Sequence, residues 1–113
     1  MIALLVSLGL TIVASADTVG ILREETMQNL KENILPFWME KAVDPAGGFY
    51  GMVFNDGKVV ENAPKGAVLN ARIIWTFSKA YRLDRQEKYK LMANRAADYY
   101  ILHFVDTTYG GVC

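Results

Sequence analysis

The chain has 113 residues, with twelve Lys or Arg against twelve Asp or Glu, and its formal net charge is zero. That balance removes the electrostatic case for a nucleic-acid partner, which needs clustered basic side chains. Cys113 is the one cysteine and His103 the one histidine. The sequence therefore excludes an internal disulfide and a cysteine-based metal site, and it argues against a zinc site.

Residues 1–16 (MIALLVSLGLTIVASA) contain no charged residue and end in Ala14-Ser15-Ala16, a pattern that a signal peptidase cuts. The segment lacks a basic start and is shorter than the roughly 20 residues that cross a bilayer, so we expect no stable membrane insertion. Three alternatives stay open: a cleaved leader, an apolar helix packed on the domain, and an extension from a misplaced start codon. We treat 17–113 as the domain.

Three helices are expected in the domain. Apolar residues recur at steps of three and four from Ile21 to Ile34, which predicts an amphipathic helix that Pro36 kinks or ends. A second helix is predicted over residues 65–83 and a third from about residue 86 to residue 104. Between the first two, the apolar segments 52–54 and 58–60 flank an Asp-Gly pair, which predicts a short β-hairpin.

Two glycine-rich turns follow the aromatic ends of the first and third helices. They read Asp44-Pro-Ala-Gly-Gly-Phe49 and Asp106-Thr-Thr-Tyr-Gly-Gly-Val112, and their aspartates are 62 residues apart. A recurrence of this length is typical of an array of helix pairs, each burying its apolar face on the next. The alternative is two unrelated glycine turns.

The middle helix differs from its neighbours because one charged residue, Arg72, interrupts an otherwise uncharged segment, residues 66–78. A helix that is apolar on nearly every side is surrounded by protein. The helices before and after it carry charges, and a basic series over residues 79–95 is expected to form a solvated helix face: Lys79, Arg82, Arg85, Lys88, Lys90 and Arg95. This alternation predicts inner helices wrapped by outer ones, an all-α toroid.

Arg72 is the strongest candidate for chemistry, because a guanidinium on a dry helix stays charged and needs a carboxylate, carbonyls or a ligand. It either pairs with a core acid or stabilises an anionic intermediate in a cavity. Asn70 is a cap or a substrate contact. Phe49, Tyr50, Trp75 and Tyr109 either stack on sugar rings or pack in the core, and His103 is expected to be structural.

Three segments together resemble the N-terminal part of cellobiose 2-epimerases, members of the N-acylglucosamine 2-epimerase family. They are Ile34-Leu-Pro-Phe-Trp38, Asp44-Pro-Ala-Gly-Gly-Phe-Tyr-Gly51 and Ala63-Pro-Lys-Gly-Ala-Val-Leu-Asn-Ala-Arg-Ile-Ile-Trp-Thr-Phe-Ser78, and the segment 103–112 fits the same pattern. The resemblance covers roughly residues 21–113. It implies the N-terminal portion of an (α/α)₆ barrel and a chain shorter than the family's members.

The resemblance implies a sugar epimerase that inverts C2 of the reducing-end glucose of cellobiose or related β-1,4-disaccharides through an enediolate, without a cofactor. It makes Arg72 the active-site arginine, with Tyr50, Asn70 and Tyr109 as candidate substrate contacts. The family's catalytic histidines are absent here, so we expect this chain alone to be inactive. The alternatives are an N-acylglucosamine 2-epimerase, a mannose isomerase, or a non-catalytic helical-repeat module that binds carbohydrate or protein. The resemblance implies the cytoplasm, whereas residues 1–16 favour export if they are a signal peptide.

Overall fold

The structure is a computed structural model that describes residues 17–113, so the segment 1–16 lies outside the described residues. The chain divides after Phe37 into two compact units. Residues 17–29 form an α-helix, α1, followed by π-helical turns at Leu30–Ile34 and Phe37–Lys41. Of the two predicted effects of Pro36, a kink or an end, the end does not occur, since residues 35 and 36 stay helical between the two wide turns. Such turns accommodate a residue that lacks an N–H and crowds the preceding carbonyl.

Two longer helices, α2 (Ala67–Leu83) and α3 (Glu87–Phe104), carry the second unit. Their bounds agree with the predicted ones to within two residues. Each buries side chains along one face, three, four or eight residues apart: Asn70, Ile73, Phe77 and Ala80 on α2, and Tyr89, Ala93, Ala96 and Phe104 on α3. The Phe77 and Tyr89 ring centroids lie 6.3 Å apart across the helix pair. Burying one such large apolar side chain stabilises the fold by about 1.5–3 kcal/mol.

The opposite face of α2 is exposed, which corrects the expectation that this helix is enclosed. Val68 and Trp75 are 67% and 68% exposed, and Arg72 is exposed between them. These three positions fall within about 60° of one another on a helix with 100° per residue. A helix that packs against one neighbour buries only the stripe that faces it, however apolar its other sides are.

The predicted β-hairpin is wrong, because no strand forms between residues 42 and 66. Within the predicted hairpin, residues 52–60, there is one isolated antiparallel bridge, Val53 to Val59, with Phe54 N–H donating to the Lys58 carbonyl at 2.8 Å. Gly57, with φ of +85°, ends the turn as the Asp-Gly pair indicates. Phe54 is 56% exposed, so no packed face extends the bridge into a ladder.

Each glycine turn is closed by one isolated antiparallel bridge, and the second turn is one residue longer than the first. Val43 bridges Phe49 around the first, and Val105 bridges Val112 around the second, both antiparallel. We call residues 44–49 the Asp44 turn and residues 106–112 the Asp106 turn. This similar closure favours a recurrence in structure over two unrelated turns.

Candidate functional site

The Asp44 turn is held by its own aspartate and by two glycines. The Asp44 carboxylate oxygen Oδ1 accepts from the Ala46 N–H at 2.8 Å, and the Asp44 N–H donates to the Gly48 carbonyl at 3.1 Å. Gly47 and Gly48 have φ of +137° and +65°, which residues with a side chain rarely adopt. The turn therefore directs the carbonyls of Asp44, Gly47 and Gly48 toward side chains outside it.

Lys65, which precedes α2, fills one side of the turn. Its ammonium donates to Asp44 Oδ2 at 2.6 Å and to the Gly47 carbonyl at 2.5 Å. The side chains of Lys65 and Asp44 are only 18% and 12% exposed. The Lys65 hydrogen bond, followed by the Ala46 N–H, lowers the pKa of Asp44 below its ordinary value against the opposing effect of burial.

Two side chains of α3 complete the cluster. The Arg95 guanidinium donates to the Asp44 carbonyl and lies 3.5 Å from the Gly48 carbonyl. The Tyr99 ring lies under the glycines, with the Lys65 ammonium 5.2 Å from the ring centroid. Arg95 is half-buried, so the expectation that it is a solvated outer-face charge is wrong. The available signal was the four-residue spacing of Arg95 and Tyr99, which places both on one side of α3.

Arg72 and Asn70 lie on opposite sides of α2, since two residues turn a helix by about 200°. Asn70 is fully buried, and its amide nitrogen donates to the carbonyl of Gly66 at 2.9 Å, so it holds the residue just before α2 and does not cap a helix N–H group. Among residues 17–113, no carboxylate forms an ion pair with Arg72. The expectation of a buried Arg72 is therefore wrong for this chain, and the guanidinium lies on the exposed face with Val68 and Trp75.

The aromatic candidates separate by burial. Phe49 is fully buried in the core, Tyr50 is half-buried, and Tyr109 is 91% exposed. None of the four candidate site residues, Tyr50, Asn70, Arg72 and Tyr109, lines the cavity of about 410 Å³ beside the Asp44 turn. His103 does line it, and its ring stacks on Tyr99 with centroids 4.1 Å apart.

Residues 17–113 contain no group of three or more His, Cys, Asp or Glu side chains placed to hold a metal ion. In the same part of the chain, no helix combines the length and apolar character that crossing a membrane requires.

Comparison with known proteins gives consistent matches. The model of the family described as N-acylglucosamine 2-epimerase (GlcNAc 2-epimerase) matches residues 48–113. The cellobiose 2-epimerase of Bacteroides fragilis is 53% identical over 93 residues, covering 81% of this chain and 24% of that protein. The chain thus spans about a quarter of the length of the curated relatives that it matches.

Solved structures match as well. The cellobiose 2-epimerase of Spirochaeta thermophila superimposes with a TM-score of 0.79 at 35% identity, covering 85% of this chain and 24% of that one. A sugar epimerase from a ruminal bacterium gives a TM-score of 0.73 at 34% identity, covering 79% of this chain and 23% of that one. These matches confirm that the chain is all-α and forms part of an α/α barrel. They do not support the predicted β-hairpin. The chain belongs to the N-acylglucosamine 2-epimerase family.

Proposed function

We propose that this chain is the N-terminal part, over residues 17–113, of a sugar epimerase that inverts C2 of the reducing-end glucose of cellobiose or a related β-1,4-disaccharide. The observation that carries the proposal is the 53% identity to the Bacteroides fragilis cellobiose 2-epimerase over 93 residues. Arg72 enters the proposal through the family resemblance, because its exposed position on α2 is not the buried one from which the sequence argument for an oxyanion site started.

The proposed reaction starts from the open-chain aldose, in which the C2 hydrogen is acidic because it lies next to the C1 aldehyde. A base removes this proton, the C2–H electron pair forms the C1–C2 double bond, and negative charge develops on the C1 oxygen. Reprotonation of C2 on the opposite face restores the aldehyde and gives the mannose epimer. The step is balanced, because one proton leaves C2 and one returns.

In this proposal the Arg72 guanidinium donates hydrogen bonds to the developing oxyanion of the enediolate. A guanidinium stays protonated at any working pH, so it offers a fixed positive charge that does not exchange protons with the intermediate. One well-placed donor of this kind is worth about 10²–10³ in rate. Of the three candidate substrate contacts, Tyr50 and Tyr109 are proposed to touch the sugar. Asn70 is fully buried, so it is proposed to act behind them by holding the N-terminal turn of α2.

The chain by itself is proposed to be inactive. Inversion needs acid and base groups on both faces of C2, and histidine, with a pKa near 6.5, suits both directions. His103 is the one histidine of the sequence, and its ring stacks on Tyr99 beside the Asp44 turn. Interconversion of cellobiose and its mannose-ended epimer by the purified chain would overturn this part of the proposal.

The activity is tested in a chimera in which the matched segment of the Bacteroides fragilis enzyme is replaced by its counterpart from this chain, here called the Bacteroides chimera. We expect it to epimerise cellobiose. Arg72→Ala should lower kcat by about 10²–10³ without changing the thermal midpoint. Arg82→Ala removes another exposed arginine of α2 and should leave kcat unchanged.

The outcomes separate the alternatives. A folded chimera that epimerises N-acylglucosamine but not cellobiose would assign the other substrate class. A folded chimera that binds sugars without turnover would favour a non-catalytic module. If Arg72→Ala keeps the parent's kcat, Arg72 is not the oxyanion donor.

We also propose a cytoplasmic location, as the family resemblance implies, with export as the alternative if residues 1–16 are a leader. Mass spectrometry of the cellular protein distinguishes the two. A mature N-terminus at Asp17 would demonstrate cleavage after Ala16 and favour export, whereas a retained Met1 would support the cytoplasm.

A further inference from the structure

The Asp106 turn is closed by the same kinds of hydrogen bond as the Asp44 turn, but it is one residue longer. Asp106 Oδ1 accepts from the N–H groups of Thr108 at 2.8 Å and Tyr109 at 3.0 Å, and the Asp106 N–H donates to the Gly111 carbonyl at 3.0 Å. In the Asp44 turn, the corresponding acceptors are Asp44 Oδ1 and the Gly48 carbonyl. In both turns the Oδ1 atom of the aspartate accepts turn N–H groups, and the carbonyl of the second glycine accepts the N–H of the aspartate.

The two turns differ in the side chains that contact them from other parts of the chain. The Asp44 turn has Lys65 on its carboxylate and Tyr99 against its glycines. Among residues 17–113, no lysine or arginine forms an ion pair with Asp106. A Cβ built on Gly48 would lie 2.8 Å from the Tyr99 ring, whereas one built on Gly110 or Gly111 would meet no atom within 4 Å.

The charge and shape of the Asp106 turn suit a partner that brings a cation and an aromatic ring. The Tyr109 and Thr108 N–H groups lower the pKa of Asp106, so its carboxylate is ionised at neutral pH. Gly110 and Gly111 have φ of +77° and +91°, which keeps side chains off this surface. An aromatic ring can therefore approach the backbone closely, as Tyr99 approaches Gly48.

We propose that the Asp106 turn is a docking surface for a further helix pair of the same polypeptide. That pair supplies a lysine or arginine to the Asp106 carboxylate and an aromatic ring to Gly110 and Gly111. The basic residue comes from just before the first helix of the pair, as Lys65 precedes α2, and the ring comes from the second, as Tyr99 comes from α3. This proposal concerns assembly and does not depend on the reaction assigned to Arg72.

The test uses Asp106→Asn in the Bacteroides chimera. An asparagine keeps the side-chain oxygen that accepts the turn N–H groups and removes the negative charge, so the variant probes the ion pair and not the turn. We expect the thermal midpoint to fall by about 2–3 °C at low salt and by less at 1 M NaCl, where ion pairs are screened. Asp44→Asn is the positive control, because the lysine that pairs with Asp44 is Lys65.

Asp56→Asn is the matched negative control. Asp56 Oδ1 also accepts a turn N–H, from Lys58 at 3.0 Å, and its ion pair with Lys58 is exposed, with side-chain exposures of 80% for Lys58 and 55% for Asp56. Loss of this exposed ion pair in Asp56→Asn should leave the thermal midpoint of unfolding unchanged. If Asp106→Asn behaves like Asp56→Asn and not like Asp44→Asn, the proposal is overturned.

A crystal structure of the chimera gives a readout that does not depend on stability. A lysine or arginine nitrogen of the same polypeptide within 4 Å of the Asp106 carboxylate, with an aromatic ring against Gly110 or Gly111, supports the proposal. Solvent at the carboxylate, or a cation from a second molecule, overturns it. Arg72→Ala should leave all of these results unchanged, so failure here is distinguishable from failure of the proposed function.

Discussion

The Lys65 ammonium lies 2.6 Å from the carboxylate of Asp44, a residue 21 positions earlier in the chain, and both side chains are largely buried. The same ammonium also binds the Gly47 carbonyl. The Lys65 side chain therefore links the segment just before α2 to the turn that follows the first helical segment. Because Arg72 lies near the beginning of α2, the pair fixes the end of the helix from which the proposed oxyanion donor projects.

Removal of the Lys65 ammonium should destabilise the fold. In the Bacteroides chimera, Lys65→Met keeps the aliphatic stem and leaves the Asp44 carboxylate and the Gly47 carbonyl without their donor. We expect a loss of about 2 kcal/mol in the free energy of unfolding, measured by urea denaturation. Lys58→Met, which removes an exposed partner of Asp56, should change it by less than about 0.5 kcal/mol. Equal effects of the two variants would contradict the role assigned to Lys65.

The Asp44 pair should make stability depend on acid pH. The folded-state pKa of Asp44 is depressed below its ordinary value of 3.8, so its contribution to stability is complete above that value. The contribution is lost as the pH falls through the folded-state pKa. The difference in unfolding free energy between the parent and Asp44→Asn should thus be constant from pH 5 to 7 and shrink below about pH 4. A difference that persists undiminished at pH 2 would argue against the ion pair.

Gly48 should tolerate no side chain. In Gly48→Ala the alanine would have to adopt φ of +65°, and its Cβ would lie 2.8 Å from the Tyr99 ring. Backbone strain and a steric clash therefore act together. Gly57→Ala is the matched control, because its φ is +85° but its Cβ would meet no atom within 4 Å. We expect Gly57→Ala to cost about 1 kcal/mol and Gly48→Ala clearly more, measured by thermal unfolding of the chimera. Equal costs would mean that Tyr99 moves aside freely.

The exposed face of α2 should make this chain by itself associate. Val68 and Trp75 are each about two-thirds exposed and adjacent on one face, where apolar surface favours self-association and dye binding. Trp75→Gln should lower both the fluorescence of bound 1-anilinonaphthalene-8-sulfonate and the sedimentation coefficient. Leu91→Gln, at a similarly exposed position on α3, is the control and should have a smaller effect. A monomeric parent that binds no dye would contradict this prediction.

Local sequence patterns were sufficient for the helices. The helices predicted over residues 65–83 and from about residue 86 to residue 104 agree with α2 and α3 to within two residues, since helix formation depends on neighbours one turn away. The aspartate and glycine positions also predicted the two equivalent turns, because positive φ angles and side-chain-to-backbone hydrogen bonds are local properties.

Tertiary structure decided the partners of those local elements. Arg95 appeared in the sequence as one of six basic residues on solvated helices, and only the packing of α3 against the Asp44 turn brings its guanidinium to the Asp44 and Gly48 carbonyls. The exposure of Arg72 could likewise not be predicted from the sequence, which shows only that the residues around it on α2 are apolar. Its exposure depends on which elements cover it, and that is a property of neighbours distant in the chain.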